Sequence, residues 1–194
     1  MKLIQNTLLV SLISSLSVLL IPSAQAAGPS MVTTTVVPII GFERTQKLVP
    51  TPHATTRLIY GVRVTAGVRL LSLESEYTHG MDSEAFPLQN LTTRDTADRV
   101  KLGIRSTFAM SSFLSTFLRA GGQATRNVHE ETNSGVSTKT TDKIKYSPYA
   151  GTGLDIRLFH NFSLTAGLTV VFNQFPDLKK NDYQTTAGFT IRFP

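Results

Sequence analysis

Three groups of side chains in this sequence have the types needed for chemistry, and their spacing decides which chemistry is open to them. His129-Glu130-Glu131 sets an imidazole beside two carboxylates. That is a metal donor set, yet adjacent residues of one loop do not fix a coordination geometry. The segment reads as a solvated charged loop, and no metal or other cofactor is assigned. Ser75 and His79 are a nucleophile and base of the hydrolase type, and their even spacing places them on one face of an extended chain. No acid stands in evident position to orient the imidazole, and none of His53, His79, His129 or His160 has a Ser two residues on. No catalytic residue is assigned, and the chain reads as a non-enzyme. The third group is the largest: Glu43, Arg63, Glu74, Glu76, Arg99, Lys101, Arg105, Arg119, Asp155 and Arg157, all on the polar face of alternating segments.

Charges so far apart in sequence meet only if the segments carrying them share an interior, and the alternation says what that interior is. Asp182 to Pro194 sets Tyr183, Thr185, Ala187, Phe189, Ile191 and Phe193 against Gln184, Thr186, Gly188, Thr190 and Arg192, a period of two. About 9–11 tilted residues cross a bilayer's hydrocarbon layer as a strand, and this segment has that length. Similar alternation runs through Val32–Glu43, Thr56–Thr65, Arg69–Tyr77, Asp98–Phe108, Leu114–Ala124, Ile144–Leu158 and Phe162–Phe172. Pro38 predicts a bulge or break in the first of these. Short turns are expected at Ala66-Gly67, Met110–Ser112 and His160-Asn161. Longer polar loops are expected over Gln46–Ala54, His79–Thr93, Asn127–Asp142 and Pro176–Asn181. Inward glycines such as Gly103 and Gly153 thin the wall around a crowded lumen. Phe42, Tyr77, Phe172, Phe175 and Tyr183 toward the loops, with Phe108, Phe113, Phe159, Phe162 and Phe193 toward the turns, form two interfacial girdles.

The first residues have a different purpose. Lys2, the apolar run from Leu8 to Ile21 and Ala24-Gln25-Ala26 read as a secretory signal peptide over residues 1–26, leaving 27–194 as the folded domain. Beyond it no apolar run reaches the roughly 18 residues of a membrane helix, so a spanning structure must be a closed barrel. The chain has no Cys, which excludes disulfides and a lipidated cysteine anchor. Its net charge of +6 raises the question of a polyanion partner. In or beside the expected loops, however, nine Lys or Arg (Arg44, Lys47, Arg57, Arg94, Arg126, Lys139, Lys143, Lys179, Lys180) face eight acids (Asp82, Glu84, Asp95, Glu130, Glu131, Asp142, Asp177, Asp182). The surplus lies in the barrel body, and nucleic acid is not expected as a partner. A soluble exported barrel with the apolar face inside is the competing fold.

The expected fold is all-β: an eight-stranded antiparallel transmembrane up-and-down β-barrel. On strand number, loop asymmetry and the closing strand, the chain resembles the small outer-membrane barrels of the OmpX and attachment-invasion type and the barrel domain of OmpA. The resemblance implies residence in the bacterial outer membrane and a final strand read by the barrel-assembly machinery. Contact with outer-membrane lipid and lipopolysaccharide, and loops that touch host or phage surfaces, are implied with it. An eight-stranded lumen is just wide enough for side chains to fill, so the charged residues should form a salt-bridge plug. Glu74 and Glu76 are expected to pair with Arg63, Arg99, Lys101 and Arg105. A narrow porin-like channel for small solutes or anions is the alternative, and a lipid A-modifying enzyme, which exists on related barrels, a third.

Overall fold

The computed structural model describes residues 32–47, 53–87, 91–133, 136–159, 161–173 and 181–193. The signal peptide expected over 1–26 lies outside these, as do His160, Phe175, Pro194 and most of the loop expected over Pro176–Asn181. The strands are β1 (Thr33–Lys47), β2 (His53–Val68), β3 (Leu71–Phe86), β4 (Leu91–Ala109), β5 (Leu114–Asn133), β6 (Val136–Thr141), β7 (Lys145–Arg157), β8 (Phe162–Val171) and β9 (Asp182–Phe193). Each pairs antiparallel with its neighbours, β5 pairs with both β4 and β7, and β9 returns to β1. Eight strands thus close a ring. The ninth, β6, stands outside it as a hairpin partner of the upper part of β5.

The ring is inside out relative to a water-soluble domain. Among the described residues, twenty-one polar or charged residues are buried against eight apolar ones. Leu73 is 71% exposed while Lys101 is 0% exposed, which overturns the soluble alternative. Lipid is the solvent that makes this arrangement stable, because the apolar outer wall lies in hydrocarbon and every ladder hydrogen bond is made within the sheet.

Three local expectations change. Pro38 does not bulge β1, since the register to β2 runs through Pro38↔Val62 and the β9 register is the same on either side, at Val36↔Ile191 and Ile39↔Gly188; the expected break falls in the β9 ladder alone. The ladder to β9 is interrupted only between those pairs, since proline has no N–H to give. The first short turn is Arg69-Leu70 rather than Ala66-Gly67. Gly67, at φ 145°, instead absorbs the bend at the end of β2, a backbone region that a side chain would strain. The third change is in height. Residues expected as loops over His79–Thr93 and Asn127–Asp142 are largely strand, so β4 and β5 have 19 and 20 residues. Roughly half of each lies beyond what a bilayer requires. The registers Asp82↔Asp95, Leu91↔Asn133 and Asn133↔Val136 build a sheet of β3, β4, β5 and β6 above the membrane.

Inside the wall, small residues make room for large ones. The Phe117 ring lies across the lumen face of Gly153, where a methyl group would come 2.7 Å from Phe117 Cε1, and the Tyr149 hydroxyl sits over Gly103. Gly122, on the outer face, has open space in front of it. Gly153→Leu should therefore destabilise the barrel by about 1–3 kcal/mol or more, read as urea unfolding in lipid vesicles. Gly122→Leu should leave stability nearly unchanged. Equal effects of the two would show that the lumen has slack.

Candidate functional site

The inward-facing charges condense into one network along the barrel axis. β2 and β3 place Arg63 directly opposite Glu76, and β3 and β4 place Lys101 beside the same residue. Alternation points all three side chains inward. Glu76 takes ion pairs from Arg63 at 2.7 Å, Lys101 at 2.5 Å and Arg119 at 2.6 Å. Glu74 pairs with Arg119 at 2.9 Å and lies 3.8 Å from Arg63 and 3.9 Å from Arg105. Arg105 reaches across the lumen to Asp155 at 2.5 Å and lies over the Phe117 ring, its Cζ 3.8 Å from the ring centroid. Toward the loop end, Glu43 holds Arg57 at 2.5 Å and Arg99 at 2.6 Å. Gln184 joins the two halves: its amide N–H donates to Glu43 at 2.7 Å, and its oxygen accepts from Lys101. Arg119 also donates to the Thr169 hydroxyl.

Two sequence expectations are corrected here. Arg99 pairs with Glu43 rather than with Glu74 or Glu76, because it lies opposite Thr78, one inward position nearer the loops than Lys101. Arg157 does not join the network. It is the last residue of β7, exposed at the turn end, and the nearby Asp155 carboxylate is already taken by Arg105. Arg57, which reads as loop-side from sequence, is buried in the network opposite Glu43. Its inward position follows from alternation with Leu58 and Tyr60. Gln184, Thr169 and Tyr149 were likewise legible as inward positions, but their types carry no charge to mark them.

A second cluster sits at the loop end, above the exposed apolar belt. Lys47 contacts Asp82 at 2.5 Å, Asp95 at 2.6 Å and Glu84 at 3.3 Å, with His53 on Glu84 at 3.1 Å and His129 on Asp95 at 2.5 Å. The lysine fills the centre, and among the described residues no group of three His, Asp or Glu is arranged to hold a metal. Burial alone would lower the Lys47 pKa, but Asp82 and Asp95 outweigh it and raise the value above 10.5. Burial likewise pushes Asp95 and Glu84 up. For Asp95, hydrogen bonds with Lys47 and His129 prevail and hold it below 3.8. For Glu84, hydrogen bonds with Thr55 and His53 and the Lys47 charge hold it below 4.5.

On the outer wall, His79 acquires the acid that the sequence did not reveal. Its Nδ1 lies 2.8 Å from Asp98 Oδ1, which also accepts from the Tyr77 hydroxyl at 2.8 Å, and its ring packs on Tyr60 at 5.3 Å. Ser75, four residues along the strand, is about 13 Å away at strand rise. The pair therefore has no nucleophile from that serine.

No family model matches the sequence, and no curated protein matches it. Solved structures do match in shape. Neisserial surface protein A (NspA) gives a TM-score of 0.60 at 14% identity, covering 83% of this chain and 97% of that one. Ail, the attachment invasion locus protein of Yersinia pestis, gives 0.56 at 11% identity, covering 84% and 98%. The N-terminal β-barrel domain of Pseudomonas aeruginosa OprF gives 0.52 at 16% identity, covering 81% and 97%. The chain has a transmembrane β-barrel fold. More narrowly, it is the fold of the small eight-stranded outer-membrane barrels.

Glu76→Ala should cost roughly 3–5 kcal/mol, because it removes the carboxylate that three buried cations share and leaves Lys101 with no acid, whereas Lys139→Ala on exposed β6 should change little. Equilibrium unfolding in vesicles checks both. The loop-end cluster gives a pH dependence. The depressed carboxylates contribute stability that is complete above their unfolded values of 4.5 and 3.8 and is lost as pH falls through the folded values. The Lys47 contribution is complete below 10.5 and is lost only as pH rises through its raised value. Amide protection factors at 82–84 and 93–95, taken relative to the intrinsic exchange rate at each pH, should be high at neutral pH and fall on acidification below about 3.8, with 101–104 in the barrel wall protected throughout.

Proposed function

We propose that this protein is a structural component of the bacterial outer membrane, with a lumen plugged by its charge network and its activity carried on the surface sheet above the bilayer. Residues 1–26 would direct export, residues 27–194 would form the barrel, and the final strand would be read by the barrel-assembly machinery. The observation that carries the reading is the filled lumen. Arg63, Arg99, Lys101, Tyr149, Phe117 and Ile59 are all fully buried in it, and an interior so occupied leaves little for a solute to pass. Function then moves to the outward strands. The β3–β6 sheet supports this, since paired strands hold a fixed binding surface where free loops would not. Lipopolysaccharide and the polysaccharide of host surfaces are the ligand class in view, with a phage surface as a further partner. The structure of Ail in complex with the heparin analogue sucrose octasulfate supports that class by analogy.

Planar-bilayer recording of folded, gel-verified protein should be silent. Frequent stable conductance steps would replace the plug with a narrow porin-like channel. A variant with residues 127–142 replaced by a short Gly-Ser turn should keep the heat-modifiable folded band and lose binding of expressing cells to glycan-coated surfaces. Undiminished binding would remove the sheet from the proposal.

A further inference from the structure

The turn end of the barrel holds a second feature that the plug does not use. A cavity of about 260 Å3 opens there, lined by the ends of all eight ring strands. At ~30 Å3 per water, that is room for a phosphate group and its immediate substituent. Its charge is one-sided: Arg69, Arg105, Arg157 and Arg192 face Asp155, the one carboxylate in the lining. Asp155 is already committed to Arg105 at 2.5 Å. Among the described residues no acid lies within ion-pair distance of Arg69, Arg157 or Arg192. The Thr190 hydroxyl, on a residue 7% exposed, also lines the cavity and has no protein partner.

Three guanidinium groups brought together without counter-charge repel one another, and on a stable wall that repulsion is relieved by a bound anion. The guanidinium fork donates two parallel N–H bonds, a geometry that matches phosphate oxygens. We infer that the turn-end cavity is a phosphate-binding vestibule, taking a phosphoryl group from a soluble phosphate compound or from an anionic lipid headgroup. It ends blind, because the Arg105–Asp155 pair and the Phe117 ring beneath Arg105 lie between it and the network. The vestibule is therefore a binding site and not the mouth of a pore, and it stands independently of what the outer sheet binds.

Inorganic pyrophosphate, titrated calorimetrically into the folded protein in zwitterionic nanodiscs at constant ionic strength, tests this. Saturable binding is expected, weakened at least tenfold by Arg157→Gln with Arg192→Gln and several-fold by Arg69→Gln, a turn position outside the ladders. Arg44→Gln, exposed on the outer wall, should leave it unchanged. Repeating the titration in discs containing phosphatidylglycerol separates the sources. Competition identifies the lipid headgroup as occupant, and undiminished affinity a soluble phosphate. No saturable binding to folded protein, or equal loss in Arg44→Gln and the double variant, would overturn the vestibule.

Discussion

A backbone crossing hydrocarbon has no water to bond to, and everything in this molecule follows from closing the sheet on itself to meet that demand. The β1–β9 ladder is the closure. Once it forms, side-chain alternation divides the chain into a wall that must be greasy and a lumen that must be polar. Ile40 and Leu73 face outward for the same reason that Glu43 and Lys101 face inward. Buried charge is the cost of that division, and a connected network of acids, cations and one amide offsets it.

Sequence reading reached the wall more easily than the height. Alternation in segments such as Phe162–Phe172 and the closing strand fixes parity, and parity fixes which residues share the lumen. It could not fix where strands stop. His79 to Phe86 and Arg126 to Asn133 carry polar residues on both faces because water surrounds them above the membrane, so the signal that marks a membrane strand fades while the ladder continues. Pro87 at the tip of the β3–β4 hairpin was the better marker of the turn. Pairing was harder still, since Arg99 and Arg157 both have the right face. Which acid each one meets, or that Arg157 meets none, depends on register and on distance across the lumen.

The charge surplus visible in the composition has a location. The network holds six cations against four acids, the loop-end cluster centres one lysine among three carboxylates, and Arg69, Arg157 and Arg192 gather at the turn end. The loop-end cluster and the turn-end cavity consequently present opposite chemistries at the two ends of the barrel.

Gln184 has a further consequence in time. It bridges Glu43 and Lys101, and it lies on the last strand of the chain. Until β9 docks, the acid at one end of the bridge and the ammonium at the other lack the amide that links them, and the edges of β1 and β8 are open. Ordering of the Glu43–Gln184–Lys101 bridge is therefore a late event coupled to seam formation. The pairs of Glu74 and Glu76 lie on β2 to β5 and need no last strand, so closing the wall is also the step that ties Glu43 to them and makes the plug one unit.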